Sequence, residues 1–264
     1  MYREAIGELR RRLAGMPRVP IERAADARWS VVSSVVDQPE PSSELVELLL
    51  AAAERARGLR LANLEQRSDP GDAAYIAAWP GEHYRLLAGL AAETRPRTAI
   101  EIGTFRGQGA LALLAGCPTA TVVTYDLMPW QAIPGTVLAD ADLSPGLGRP
   151  GVLPRTGDLV DPAVRRRDIE MLSAADLIFL DGPKDGTWEH RFCADVLPLL
   201  ADRPRLVVVD DIRLLEMVQL WRDLPYDKID ATSLGHWSGT GLLRLTPGAQ
   251  RPSPASPKDT DSRP

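Results

Sequence analysis

Cysteine is nearly missing from this chain, with two residues in 264, Cys117 and Cys193. Two thiols that far apart make no disulfide framework, and they fit a reducing compartment. Neither lies in a nucleophile motif, so both are expected as small buried residues. No apolar run approaches membrane-spanning length, and the first residues, Met-Tyr-Arg-Glu, are charged rather than apolar. A spanning helix and a secretory leader are therefore not expected, and a cytoplasmic soluble protein is. Positive charge is not in excess either: the net charge is −5, and the cluster Arg165-Arg166-Arg167 sits among acids. That argues against a nucleic-acid partner and for a solvated helix face. No internal repeat is apparent. What remains is ordinary globular composition, 44% hydrophobic and 25% charged, long enough for one large domain with an N-terminal extension.

The pattern along the chain predicts an α/β fold, a Rossmann-like, doubly wound and mostly parallel sheet. A C-terminal antiparallel hairpin and a helical N-terminal extension accompany it. Residues 1–79 read as the extension, expected to roof a pocket or to form a homodimer contact. Within it, Tyr2–Leu13 has the pattern of a basic amphipathic helix, and Trp29–Val36 has strand composition. Ser43 can cap a helix running to Gly58 or on to Arg67, which the stretch Ser68-Asp-Pro-Gly-Asp72 should break. A further helix is expected over 80–93. From Thr98 strands and helices alternate through 80–246: strands at 98–103, 121–126, 153–157, 176–181 and 205–210, helices near 107–116, 161–173, 187–201 and 212–223. Residues 127–152 are irregular. A hairpin is expected from Lys228–Ser233 and Thr240–Leu245 around His236-Trp-Ser-Gly239, followed by a disordered tail, 247–264.

The most informative stretch is Thr98 to Leu114, an apolar strand, a turn with Gly103, Gly107 and Gly109, and then a helix. That order presents a helix N-terminus to a ligand at the carboxyl edge of an open sheet. The glycine spacing is not the dinucleotide one. Acids stand at the other strand ends: Asp126, Asp158 after Gly157, Asp181 with Lys184, and the pair Asp210-Asp211. Asp126 is placed to accept from a ribose diol. Carboxylates crowded on one edge call for a cation, and three of them suit a hard divalent ion. Taken singly, Asp211 could instead cap a helix from Ile212, and Asp181 could open a turn at Gly182.

Together these residues resemble a known family. Glu101-Ile-Gly-Thr-Phe-Arg-Gly-Gln-Gly109 is similar to motif I of class I S-adenosylmethionine-dependent methyltransferases, in the form of the catechol and caffeoyl-CoA O-methyltransferases. Asp181-Gly-Pro-Lys184 resembles their metal-ligand aspartate with its lysine, and the Asp210-Asp211 pair is closer to the macrolide-sugar O-methyltransferases. The resemblance spans residues 80–245 and implies bound S-adenosylmethionine. Its contacts would come from Glu101, Gly103, Thr104, Phe105, Gly107, Gly109, Asp126, Leu127, Gly157, Asp158, Leu159 and Asp181. It also implies Mg2+ on Asp181, Asp210 and Asp211, with Lys184 and Asp181 as catalytic residues. His236 and Trp237 are expected at a small hydroxylated substrate, and His83 is a candidate to face the pocket from its helix. Two departures stand out: Gly109 replaces a serine, and Gly182-Pro183 replaces larger residues. The implied reaction is in-line transfer of a sulfonium methyl to a hydroxyl that a cation and a base prepare. The alternatives are a metal-independent methyltransferase and a non-catalytic nucleotide-binding module.

Overall fold

A computed structural model describes residues 40–248 apart from 186 and 215. The expected basic helix of Tyr2–Leu13, the stretch Trp29–Val36 and almost all of the tail lie outside the described residues. The described chain forms one seven-stranded sheet. Its strands are β1 (Thr98–Ile102), β2 (Thr121–Asp126), β3 (Gly151–Thr156), β4 (Leu177–Leu180), β5 (Arg205–Asp210), β6 (Asp227–Asp230) and β7 (Thr240–Leu245). They lie in the order β3-β2-β1-β4-β5-β7-β6. β3, β2, β1, β4 and β5 are mutually parallel, and β7 slots antiparallel between β5 and β6. The chain starts at the centre, winds out to β3, and returns to lay β4 on the other side of β1. That reversal puts a crevice at the carboxyl ends of β1 and β4.

Strand composition follows from this burial. The runs Thr-Ala-Ile-Glu-Ile and Arg-Leu-Val-Val-Val-Asp are buried throughout, as strands covered on both faces must be. Alternate residues divide between two cores. Ala99, Val122, Phe179 and Val208 join the core beneath α1 (Ser43–Gly58), α4 (Tyr84–Thr94) and α5 (Gln108–Gly116). Ile100, Val123, Ile178 and Val207 face the opposite core, under α7 (Ile169–Ala174), α8 (Thr187–Asp195) and α9 (Met217–Asp223). In the extension, Leu45, Leu49 and Ala52 of α1 belong to the same core as the sheet. Arg85 of α4 fixes that packing: its Nη2 donates to the terminal carbonyls of Ala56 at 2.7 Å and Arg57 at 2.9 Å. Among the described residues, no helix is long and apolar enough to cross a membrane.

Four boundaries differ from the sequence-based expectation. The Asp-Pro-Gly stretch does not simply break a helix; after α2 (Ala62–Arg67) it starts α3 (Pro70–Ala77). Asp69 caps it by accepting from the amides of Gly71 and Asp72, with Pro70 in the first turn. The 161–173 helix is two, α6 (Pro162–Arg167) and α7, parted at Asp168, whose buried carboxylate turns to Arg155 and Arg167. The helix expected over 187–201 ends at Asp195, and a 3-10 turn, Leu197–Leu200, follows. The last helix starts at Met217, not near Ile212. Asp211 therefore caps no helix.

Candidate active site

At the reversal point the chain is pressed close. A Cβ on Gly103, whose φ is +101°, would lie 2.0 Å from the carbonyl oxygen of Asp181, so only glycine lets β1 and β4 diverge there. Beside it lies a cavity of about 440 Å³, lined by the loops after four strands. Gly103, Phe105, Asp126, Leu127, Gly157, Asp158, Leu159 and Asp181, all named from the sequence, are on its wall. Pro183 and Trp188 complete it on the α8 side. Each Asp126 oxygen already accepts one backbone amide, Oδ2 from Phe105 and Oδ1 from Met128, both at 3.1 Å. A carboxylate has lone pairs to spare beyond these two. Trp188 stacks on Phe192, and its Nε1 donates to Asp158 at 2.8 Å. That indole was not singled out from the sequence; a tryptophan opening the helix after Asp181 was the available signal.

Glu101, Thr104, Gly107 and Gly109 are not on that wall. Glu101 is buried behind the loop, where Thr124 donates to its Oε2 at 2.5 Å and Thr104 lies 2.7 Å from Thr124. Burial pushes its carboxyl well above the usual range, against the Thr124 and Ala110 donors that favour the charge. Arg106, at the tip of the loop, pairs with Asp69 and Asp72 of the extension.

Next to the cavity stands a cluster of charge. Lys184 Nζ lies 2.5 Å from Asp181, 3.3 Å from Asp211 and 3.8 Å from Asp210. Lys184 at φ +61° and Asp211 at φ +58° both hold the left-handed conformation, which costs a non-glycine residue about 1–3 kcal/mol. So the side chains are aimed here against backbone preference. Despite its burial, the three carboxylates hold the Lys184 ammonium above its ordinary value. Burial raises Asp181 more than Lys184 lowers it, whereas Asp210, the more deeply buried of the two, is held well below the usual range by His83, His236 and Lys184.

Both histidines named as pocket candidates meet at Asp210. Their meeting depends on a contact between distant loops: Gly81 donates to the carbonyl of Gly235 and accepts from the amide of Trp237. Glu82 and His83 are thereby laid against His236. His83 Nδ1 is 3.4 Å and His236 Nδ1 3.3 Å from the same Asp210 oxygen, and His236 Nε2 is 3.3 Å from Glu82. Burial works to lower His236, but the neighbouring Asp210 and Asp211 carboxylates carry it up to about 10. Trp237, by contrast, is 71% exposed and is not on the cavity wall. Among the described residues, His83 with Asp181 and Asp210, and His236 with Asp210 and Asp211, bring ligand atoms within 4.8 Å of one another, whereas Asp181, Asp210 and Asp211, the set implied by the resemblance, do not do so together.

No protein-family model matches the sequence, and no curated protein matches it significantly. Among solved structures, the chain is similar to an O-methyltransferase from Bacillus cereus in complex with SAH. Identity is 19% over 71% of this chain and 92% of that one, with a TM-score of 0.49. It is also similar to a methyltransferase from Geobacter sulfurreducens, at 19% identity over 77% and 98% of the two chains, TM-score 0.44. A third is an SAH-bound methyltransferase from Podospora anserina, at 18% identity over 88% and 99%, TM-score 0.42. The chemistry has to be read from this chain's own side chains.

Proposed function

We propose that this chain is an S-adenosylmethionine-dependent O-methyltransferase acting on a small hydroxylated molecule with the help of a divalent cation. One observation carries the reading: Asp181 belongs both to the wall of the cavity and to the charged cluster. A methyl donor in the first would end beside an acceptor oxygen at the second. S-adenosylmethionine would supply the sulfonium methyl, with Asp126 at the ribose and Leu159, Pro183 and Trp188 around the adenine. Pinning donor and acceptor on one carboxylate supplies alignment, which reaches about 7–11 kcal/mol in well-oriented cases.

The donor chemistry of the cluster fits a divalent cation. Four carboxylates, of Glu82, Asp181, Asp210 and Asp211, face one ammonium and two imidazoles, and the buried Nδ1 of His83 has no hydrogen-bond partner. Asp210 with Asp181 or with Asp211 would hold the ion, which when bound lowers the pKa of a hydroxyl and fixes its oxygen. Magnesium is the ion the resemblance implies. Lys184 is charged while it faces three acids; it becomes a base only when another cation takes over that role. Exposed Trp237 and Phe105 give the acceptor an apolar rim. A cation-free reading has one observation in its favour, that Lys184 already bridges the acids.

Calorimetric titration with SAH, S-adenosylmethionine and NAD, followed by transfer of labelled methyl to a panel of phenols and sugars, tests the proposal. SAH should bind and NAD should not. Transfer should stop in chelator, return with a divalent ion, and fall at least about 100-fold in Asp181→Ala. Binding without transfer to any acceptor would favour the binding module; transfer undiminished in chelator would remove the cation.

A further inference from the structure

We infer that the cation of this site is held partly by nitrogen, from His83 beside Asp181 and Asp210 or from His236 beside Asp210 and Asp211, so that the site takes a first-row transition ion such as Mn2+, Fe2+ or Co2+ in preference to Mg2+. The inference rests on the reading that the acid cluster holds a divalent ion, and concerns which ion and through which atoms. An acid cluster alone would not justify it. What does is the state of the two imidazoles.

His83 is 5% exposed, and its Nδ1 lies close enough to Asp210 to pair its charge but makes no hydrogen bond. A buried polar nitrogen without a partner costs about 1–3 kcal/mol, so its placement wants an explanation. The 3.4 Å to Asp210 Oδ1 is long for a hydrogen bond. It is the right length for two ligands of one ion: atoms each about 2.0–2.2 Å from a metal, at tetrahedral or octahedral angles, lie about 3–3.5 Å apart. His236 repeats the arrangement, with Nδ1 at 3.3 Å from that oxygen and 3.4 Å from Asp211 Oδ1. Its other nitrogen is 3.3 Å from Glu82 Oε2, so Nε2–H donates to Glu82 when the ring is neutral and the Nδ1 lone pair turns to the acids. A carboxylate on the far nitrogen is the usual support of a metal-bound histidine. Ser238 Oγ, which gives its hydrogen to Asp211, accepts from His236 Nδ1–H at 2.9 Å, a contact that an ion on Nδ1 would replace. Mixed imidazole and carboxylate donors suit Mn, Fe and Co, whereas magnesium favours oxygen throughout.

The test uses the full chain, stripped with chelator. Mg2+, Mn2+ and Co2+ are titrated calorimetrically into wild type, His83→Ala, His236→Ala and Glu82→Gln, each checked for an unchanged melting profile. Any nitrogen-containing site ranks cobalt above magnesium, so the deciding quantity is how each variant alters each ion. Mn2+ and Co2+ affinity should fall about 10–100-fold in the variant that removes the ligating histidine, and about tenfold in Glu82→Gln where that histidine is His236, with Mg2+ affinity changing less than about threefold. Pulsed EPR of Mn2+ in wild type grown with 15N-histidine needs no variant and should show directly coupled 15N. Divalent ions that bind without 15N coupling, and equally in all variants, would overturn nitrogen ligation while leaving the methyltransferase reading intact. Failure of every ion to bind would overturn both this inference and the cation in the proposed reaction, but not binding of SAH.

Discussion

Replacing Gly109 by serine, the residue the resembled motif carries, should destabilise this protein. A Cβ at Gly109 would sit 2.1 Å from Glu101 Oε1 and 3.3 Å from the Phe179 ring. Ordinary contact starts near 3.4 Å, so one of the two groups must move by more than an ångström. Phe179 is fully buried in the centre of the sheet, and Glu101 is 1% exposed and held by Thr124. Overpacking costs about 1–3 kcal/mol, and freeing Glu101 from its donors adds about 1–3 more. Against this stands roughly 0.5–1 kcal/mol from removing a glycine from a helix. A net loss of about 2–4 kcal/mol lowers the melting temperature of a domain this size by roughly 5–15 °C. Differential scanning calorimetry on Gly109→Ser and Gly109→Ala would measure it. The sharper assay is the double variant Glu101→Gln, Gly109→Ala beside Glu101→Ala, Gly109→Ala. Shortening Glu101 to alanine should relieve the clash and make the Gly109→Ala step nearly harmless, while glutamine, of equal length, should not. A single Gly109→Ser variant as stable as wild type would refute the account. So would equal costs of Gly109→Ala in the alanine and glutamine backgrounds.

Other outcomes follow from the same geometry. Trp188→Ala removes a cavity wall, its stack on Phe192 and the donor to Asp158, and should weaken SAH about 10–100-fold by calorimetry; unchanged affinity would place the adenine elsewhere. Asp168→Asn strips the charge from a fully buried carboxylate bonded at 2.6 Å to each of Arg155 and Arg167. Burial alone would raise Asp168, but the two arginines outweigh it and hold it below the usual range. A carboxylate lowered on folding stabilises above its unfolded pKa of about 3.9 and stops doing so as pH falls through the lower, folded value. The variant should therefore cost about 2–3 kcal/mol at pH 7, less than a fully buried pair because both arginines reach solvent. In melts taken between pH 7 and 2 the gap from wild type should close at the acid end; a constant gap would count against the charge.

The sheet and its edge were legible because parallel strands covered on both faces must be apolar along their length. An acid at the end of such a run marks where the run leaves the core. That is how Asp126, Asp158, Asp181 and Asp210 stand out in the sequence, and all four lie at carboxyl ends of strands. Glu101 stands out in the same way, yet it sits inside β1, buried behind the loop. The motif announces that residue's position and not its direction: Thr124, 23 residues on, turns it away from the cavity. Asp69-Pro70-Gly71 was ambiguous for another reason, since the same three residues can end one helix or cap the next. Only the packing of Ile76 into the core decides for the helix.

Glu82 and His83 mark where local pattern runs out. They precede α4 by a residue or two and carry no spacing relation to Asp210 or His236. What joins them is a pair of backbone hydrogen bonds between Gly81 and the loop from Gly235 to Trp237, and backbone bonds leave no side-chain signature in sequence. The consequence is chemical as well as topological. Read along the chain, the site is three acids and a lysine, an all-oxygen setting for a hard ion. Folded, the same acids have two imidazoles against Asp210, and the donor set changes class. If nitrogen ligates as inferred above, identity of the ion would depend on a loop-to-loop contact. Gly81→Pro, which deletes the amide that bonds Gly235, should disturb transition-ion binding while leaving SAH affinity within about twofold, because no cavity-wall residue lies in either loop. Equal loss of both ligands would mean that the two halves of the site are not separable in this way.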